Sequence, residues 1–97
     1  MHYIFDLDHT VIAEEKRKMM EEKKELLTIF MEACAEATVE ASKLIRFGSE
    51  TFYNANTLEV QVGDLLCMID LLHEHGLINN LELEMHKRNK RMEIVNQ

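Results

Sequence analysis

The sequence predicts an all-α fold: a helical bundle of three to four helices with a short extended N-terminal arm. Three observations carry that prediction. The 97-residue chain has no Pro and only three Gly, so long stretches run without a helix breaker. Apolar residues from Leu26 onward recur at helical spacing, through Phe30, Ala33, Cys34, Ala37, Ala41, Leu44 and Ile45. Gly48 and Gly76 each follow a periodic stretch as C-terminal stops, and the Asn-x-x-Glu pairs Asn56/Glu59 and Asn79/Glu82 read as capping boxes that begin new helices.

The length is that of a single domain, with residues 1–12 as the arm and 13–97 as the helical part. Apolar residues make up 46 % and charged residues 30 %, an ordinary globular balance. A small, highly charged helical domain often oligomerises to bury more surface, so a homo-oligomer is expected. The net charge of −7 argues against stable nucleic-acid binding and suits a protein that gathers divalent cations. The two cysteines, Cys34 and Cys67, lie far apart without a CxxC pattern and on apolar helix faces. Core thiols in a reducing, cytoplasmic setting are therefore expected. No stretch is long and apolar enough to span a membrane, and no signal peptide is visible.

The N-terminal arm contains Asp6-Leu7-Asp8-His9-Thr10 after the β-prone run Tyr3-Ile4-Phe5. It resembles the first motif of haloacid-dehalogenase-like phosphatases, DxDxT at the end of a strand, which would make Asp6 the nucleophile and Asp8 the acid/base. The rest of the chain leaves no room for the parallel sheet, later Lys and further acidic pair of that fold. The plainer reading is an extended arm in which Asp8 or Thr10 caps the next helix.

Residues 13–47 carry no strong break, and Thr28 leaves one helix or two open. Glu25, Glu32, Glu36 and Glu40 fall on one ridge of that stretch. Like charges four apart cost a helix roughly 0.2–0.5 kcal/mol per pair, so the ridge is either a solvated face or a cation site. Residues 57–75 form the second key helix. On a wheel of about 100° per residue, Val60, Met68 and Leu71 lie within about 40° of Asp64. That places Asp64 towards the core with Gln61 beside it, where a carboxylate needs a partner or a metal. Gly63 suggests close approach of another helix. The last helix, Leu81–Val95, holds the one basic cluster, Lys87-Arg88-Asn89-Lys90-Arg91.

Taken together, Glu32-x-Cys34-Ala35-Glu36, Glu40-Ala41-Ser42-Lys43 and Arg46-Phe47-Gly48, followed by Asn56, Leu58-Glu59 and Gly63–Leu72, resemble the MazG-like all-α nucleoside triphosphate pyrophosphohydrolases. The small, single-domain, phage-type members are the most similar, over roughly residues 24–95. The resemblance implies a dimer or tetramer that hydrolyses a nucleoside triphosphate, ribo- or deoxy-, to the monophosphate and pyrophosphate with Mg²⁺, for which Mn²⁺ substitutes. Paired acids on two facing helices then supply the oxygen ligands that magnesium prefers.

Carried over residue by residue, EExxE becomes Glu32-Ala33-x-x-Glu36, and ExxD becomes Gln61-x-x-Asp64. The resemblance thus implies Glu32, Glu36 and Asp64 as catalytic residues and Glu36, Asp64, Gln61 and Glu40 as metal ligands. Lys87, Lys90 and Arg91 would hold phosphate, and Phe52, Tyr53 and Asn54 are placed to meet a base. Ala33 and Gln61 stand where the family has carboxylates. They imply a natural variant of altered activity, a deliberately inactivated form, or a ligand set in which Glu32 and Glu40 share the load. The alternative is a catalytically inactive nucleotide-binding or helical interaction protein on the same scaffold.

Overall fold

A computed structural model describes the backbone of residues 2–48 and 57–96, and the side chains of residues 10–48 and 57–96. It contains three helices, α1 (His2–Phe47), α2 (Leu58–Glu74) and α3 (Asn80–Val95), and among the described residues no strand.

The expected extended arm is instead the first turns of α1, a single helix of 46 residues. Nothing in residues 2–12 breaks a helix. Once a helix is nucleated, each further residue adds a hydrogen bond at little extra cost, which outweighs the modest β preference of Tyr3, Ile4 and Phe5. The DxDxT segment therefore lies on a helix and not at the end of a strand. The side chains of Asp6 and Asp8 lie outside the described residues. Thr28 does not cap a second helix, because its Oγ1 donates back to the Lys24 carbonyl at 2.9 Å within one continuous helix. Gly48 closes α1 at φ 79°, with its N–H on the Leu44 carbonyl at 3.0 Å. Arg46 occupies the last turn, and its guanidinium lies 5.1 Å from the centre of the Phe47 ring.

Thr57 is the N-cap of α2, accepting from the Val60 N–H at 3.4 Å. The expected cap Asn56 lies outside the described residues, as do Phe52, Tyr53 and Asn54. The hydroxyl one residue later fills the role that the Asn56/Glu59 pattern suggested. Helix α2 ends in a Schellman turn. Gly76 takes φ 73°, and the Leu77 N–H reaches the Leu72 carbonyl at 2.9 Å. The Asn79 side chain then accepts from the Glu82 N–H at 3.1 Å and starts α3, as the sequence suggested.

Helices α1 and α2 form an antiparallel hairpin, the one substantial packing between elements among the described residues. On α1 the buried and half-buried positions include Leu26, Phe30, Ala33, Ala37, Glu40 and Leu44, which alternate by four and three. On α2 they include Gln61, Leu65, Met68 and Leu72, with the same alternation. This 3.5-residue spacing is that of a coiled-coil seam. The buried apolar side chains among the described residues are Ala33, Met68 and Leu72, the last only 3 % exposed.

The bundle expected of one chain is therefore not formed. Helix α3 buries no side chain and makes only marginal contact with the hairpin. The radius of gyration is 20.2 Å, against about 12–13 Å for a compact chain of this length. Two expectations fall with the bundle. Cys67 is exposed rather than in the core, while Cys34 is half-buried, and both thiols are free. A Cβ added at Gly63 would meet nothing within 4 Å, so no neighbouring helix explains that glycine.

Leu72→Ala should destabilise the hairpin by about 2–4 kcal/mol, read as a large fall in thermal midpoint by circular dichroism. Gly63→Ala should raise that midpoint, since it gains about 0.5–1 kcal/mol of helix propensity against no contact.

Candidate functional site

The acids singled out in the sequence gather along one groove of the α1–α2 hairpin. A cleft of about 240 Å³ is lined by Ile29, Glu32, Ala33, Glu36, Asp64, Cys67 and Met68. Its neighbour, about 210 Å³, is lined by Glu36, Val39, Glu40, Lys43 and Gln61. Glu36 belongs to both, so the two clefts are successive sections of one groove. The antiparallel seam produces this arrangement. Ascending α1 from Ala33 to Glu40 means descending α2 from Met68 to Gln61, which sets the short acidic stretch of each helix beside the other.

The expected orientations change in detail. Asp64 is exposed and does not face the core. The buried side of α2 is centred on Gln61, Met68 and Leu72, and Asp64 sits roughly 60° round from that centre. The wheel misplaced it because α2 is apolar on almost every side: Val60 and Leu66 are also exposed. Periodicity cannot fix the centre of such a face. The desolvation expected for Asp64 therefore falls on its neighbour. Gln61 is 5 % exposed, and its Oε1 is buried without a hydrogen-bond partner.

The glutamate ridge is also divided. Glu25, Glu32 and Glu36 are exposed, whereas Glu40 occupies a seam position and is 5 % exposed. Its carboxylate is held by Lys43, whose Nζ lies 3.2 Å from Oε2 and donates to Oε1 at 3.3 Å. Burial of a carboxylate is tolerable only with such a partner. Lys43 is the groove residue that the sequence reading passed over. Its place three residues after Glu40 was the available signal, since residues so spaced are neighbours on a helix.

Lys87, Lys90 and Arg91 are not brought to the groove of their own chain. They line the outer side of α3 with Glu84, Arg88, Ile94 and Val95. Lys87 pairs with Glu84 at 3.2 Å and Lys90 with Glu93 at 3.4 Å, both within α3.

As a cation site the groove is partly furnished. Glu36, Asp64 and Gln61 offer oxygens, the ligand type magnesium takes, and the unpartnered Gln61 Oε1 is an acceptor in search of a positive group. Yet among the described residues no three His, Cys, Asp or Glu side chains stand together as a ligand set. Ala33 puts a buried methyl group into the seam, and the Glu40 carboxylate is already engaged. Each cleft is also smaller than the roughly 300–1,000 Å³ usual for small-molecule pockets. No helix among the described residues is long and apolar enough to cross a membrane. Comparison with family models, curated proteins and solved structures finds no match for the chain.

Replacing Gln61 with Met keeps the volume and removes the stranded oxygen. Gln61→Met should stabilise the metal-free protein by about 1 kcal/mol, seen as a higher thermal midpoint. An unchanged or lower midpoint would mean that Oε1 is satisfied in solution.

Proposed function

We propose that this chain acts on nucleoside triphosphates as a magnesium-dependent pyrophosphohydrolase of reduced capacity, working as a homo-oligomer. The observation that carries the reading is the convergence of Glu32, Glu36 and Asp64 on one cleft, with Gln61 and Glu40 in the adjoining section. The resemblance of the two acidic motifs to those of the MazG-like enzymes supports it, as does the strongly negative net charge.

In this reading Glu36, shared by both clefts, and Asp64 hold the cation, with the Gln61 amide oxygen and Glu40 beside them. Magnesium, when bound, neutralises and polarises the triphosphate. Glu32, exposed at the rim, orients the attacking water. The reduced capacity follows from the donor set. Ala33 contributes no oxygen, Gln61 contributes a neutral one, and the site has two formal charges fewer than the family pattern. Lys87, Lys90 and Arg91 would meet phosphate only from another copy, because those of the same chain do not line the groove.

A second reading, a catalytically silent nucleotide-binding or helical interaction protein, is favoured by one specific observation. The described residues contain no preassembled set of three metal ligands.

Pyrophosphate release from a panel of ribo- and deoxynucleoside triphosphates, with Mg²⁺ or Mn²⁺, separates the two. The proposal expects slow turnover by this chain and a rise of at least about tenfold in an Ala33→Glu/Gln61→Glu variant, as the lost charges return. Silence from both chains, with helicity intact, would remove the enzyme reading. Retained nucleotide binding without turnover would favour the silent one.

A further inference from the structure

Unpaired acids line the groove of the hairpin, and unpaired arginines lie on and beside an apolar stripe of α3. Glu32, Glu36 and Asp64 line the groove and make no ion pair among the described residues, and Ile29, Val39 and Cys67 beside them leave apolar surface open. On α3 the exposed apolar residues Leu81, Met85, Met92 and Val95 fall on one stripe. Arg88 sits in the middle of that stripe, three residues after Met85 and four before Met92, and Arg91 flanks it. Whereas Lys87 and Lys90 are paired within α3, Arg88 and Arg91 make no ion pair among the described residues. An arginine amid an apolar stripe can be covered only by a surface that offers it a carboxylate.

We propose that α3 of one copy docks, stripe inward, in the acidic α1–α2 groove of a second copy, with Arg88 and Arg91 meeting its Glu32, Glu36 and Asp64. A twofold arrangement lets both copies make the exchange at once. The area is right for it. The chain exposes 8538 Å², about 2,700 Å² more than the roughly 5,800 Å² of a compact monomer of its mass. Obligate dimers bury about 2,000–5,000 Å² in total, or about 1,000–2,500 Å² per chain, which that excess covers. The charges are right as well, because α2 carries Glu59, Asp64, Asp70 and Glu74 and no Lys or Arg, so the groove repels its own kind and attracts α3. The contact does not rest on the nucleotide reading: a docked α3 covers Glu32, Glu36 and Asp64, so metal and nucleotide would have to displace it, and turnover can fail while docking stands.

Light scattering on the full chain tests it. Wild type should be a dimer that weakens with salt. Arg88→Glu/Arg91→Glu and, separately, Glu32→Lys/Glu36→Lys/Asp64→Lys should each raise the dissociation constant by at least about tenfold. Mixing the two variants should restore a dimer, because each helix then meets a groove of opposite sign. The Cys67 thiol, exposed in a single chain, should be shielded from alkylation in wild type and react fast in the Arg88→Glu/Arg91→Glu variant. A monomeric wild type would overturn the proposal, whether α3 folds onto its own hairpin or binds anionic phospholipid vesicles. Dimers indifferent to every charge change would also overturn it, placing the interface elsewhere. Variants that lose helicity alone but regain it when mixed would support it.

Discussion

The antiparallel seam between α1 and α2 is the interaction on which everything else depends. It gathers every buried apolar side chain among the described residues, fixes which part of α1 faces which part of α2, and aligns the acidic groove. It is also slight. Ala33 and Ala37 bring the helices close but bury few carbons, while ordering each residue costs roughly 1–2 kcal/mol of backbone entropy. A seam of this size is a weak opponent of that entropy. Residues 10–25 of α1, and the whole of α3, add cost and bury almost nothing within one chain. Assembly is the natural remedy. It would tie folding to protein concentration, as for any protein in which burial is completed between copies.

Charge is organised at a larger scale than individual ion pairs. The bridges that form are local, three residues apart on the same helix, and three of the four are fully exposed and weakly stabilising. Along the groove the unpaired groups are instead acids, Glu32, Glu36 and Asp64, while on and beside the apolar stripe of α3 they are Arg88 and Arg91. Such separation does little for a single chain, but it gives the surface two faces of opposite sign whose approach is favoured over long distances at low salt.

Much of this was legible in the sequence. The absence of Pro, the Gly stops and the Asn79 cap pointed to three or four helices, of which three form, and the two acidic motifs identified the residues that share the groove. What was not legible has definite causes. The start of α1 was misread because Tyr3-Ile4-Phe5 is locally β-prone, and local preference says nothing about a helix propagating into it from a nucleus further along. Asp64 was turned inward because α2 is apolar nearly all round, so its wheel had no unique centre. The burial of Glu40 was hidden because a Glu four residues from another Glu looks solvated unless the heptad seam is traced through Ala33. That α3 stands away from the hairpin depends on the geometry of the turn at Gly76, which a sequence pattern does not encode.

The polar layer at one end of the seam has a further consequence. Glu40 and Gln61 face each other where apolar residues would hold the helices together more tightly. Slide α2 along α1 by seven residues and the heptads still interlock, but Glu40 would then lie against Met68, or Gln61 against Ala33. Either slip strands a polar group on a hydrocarbon wall. The layer weakens the correct alignment a little and the shifted ones more, so it acts as a register key for a seam whose alanines would otherwise tolerate several alignments.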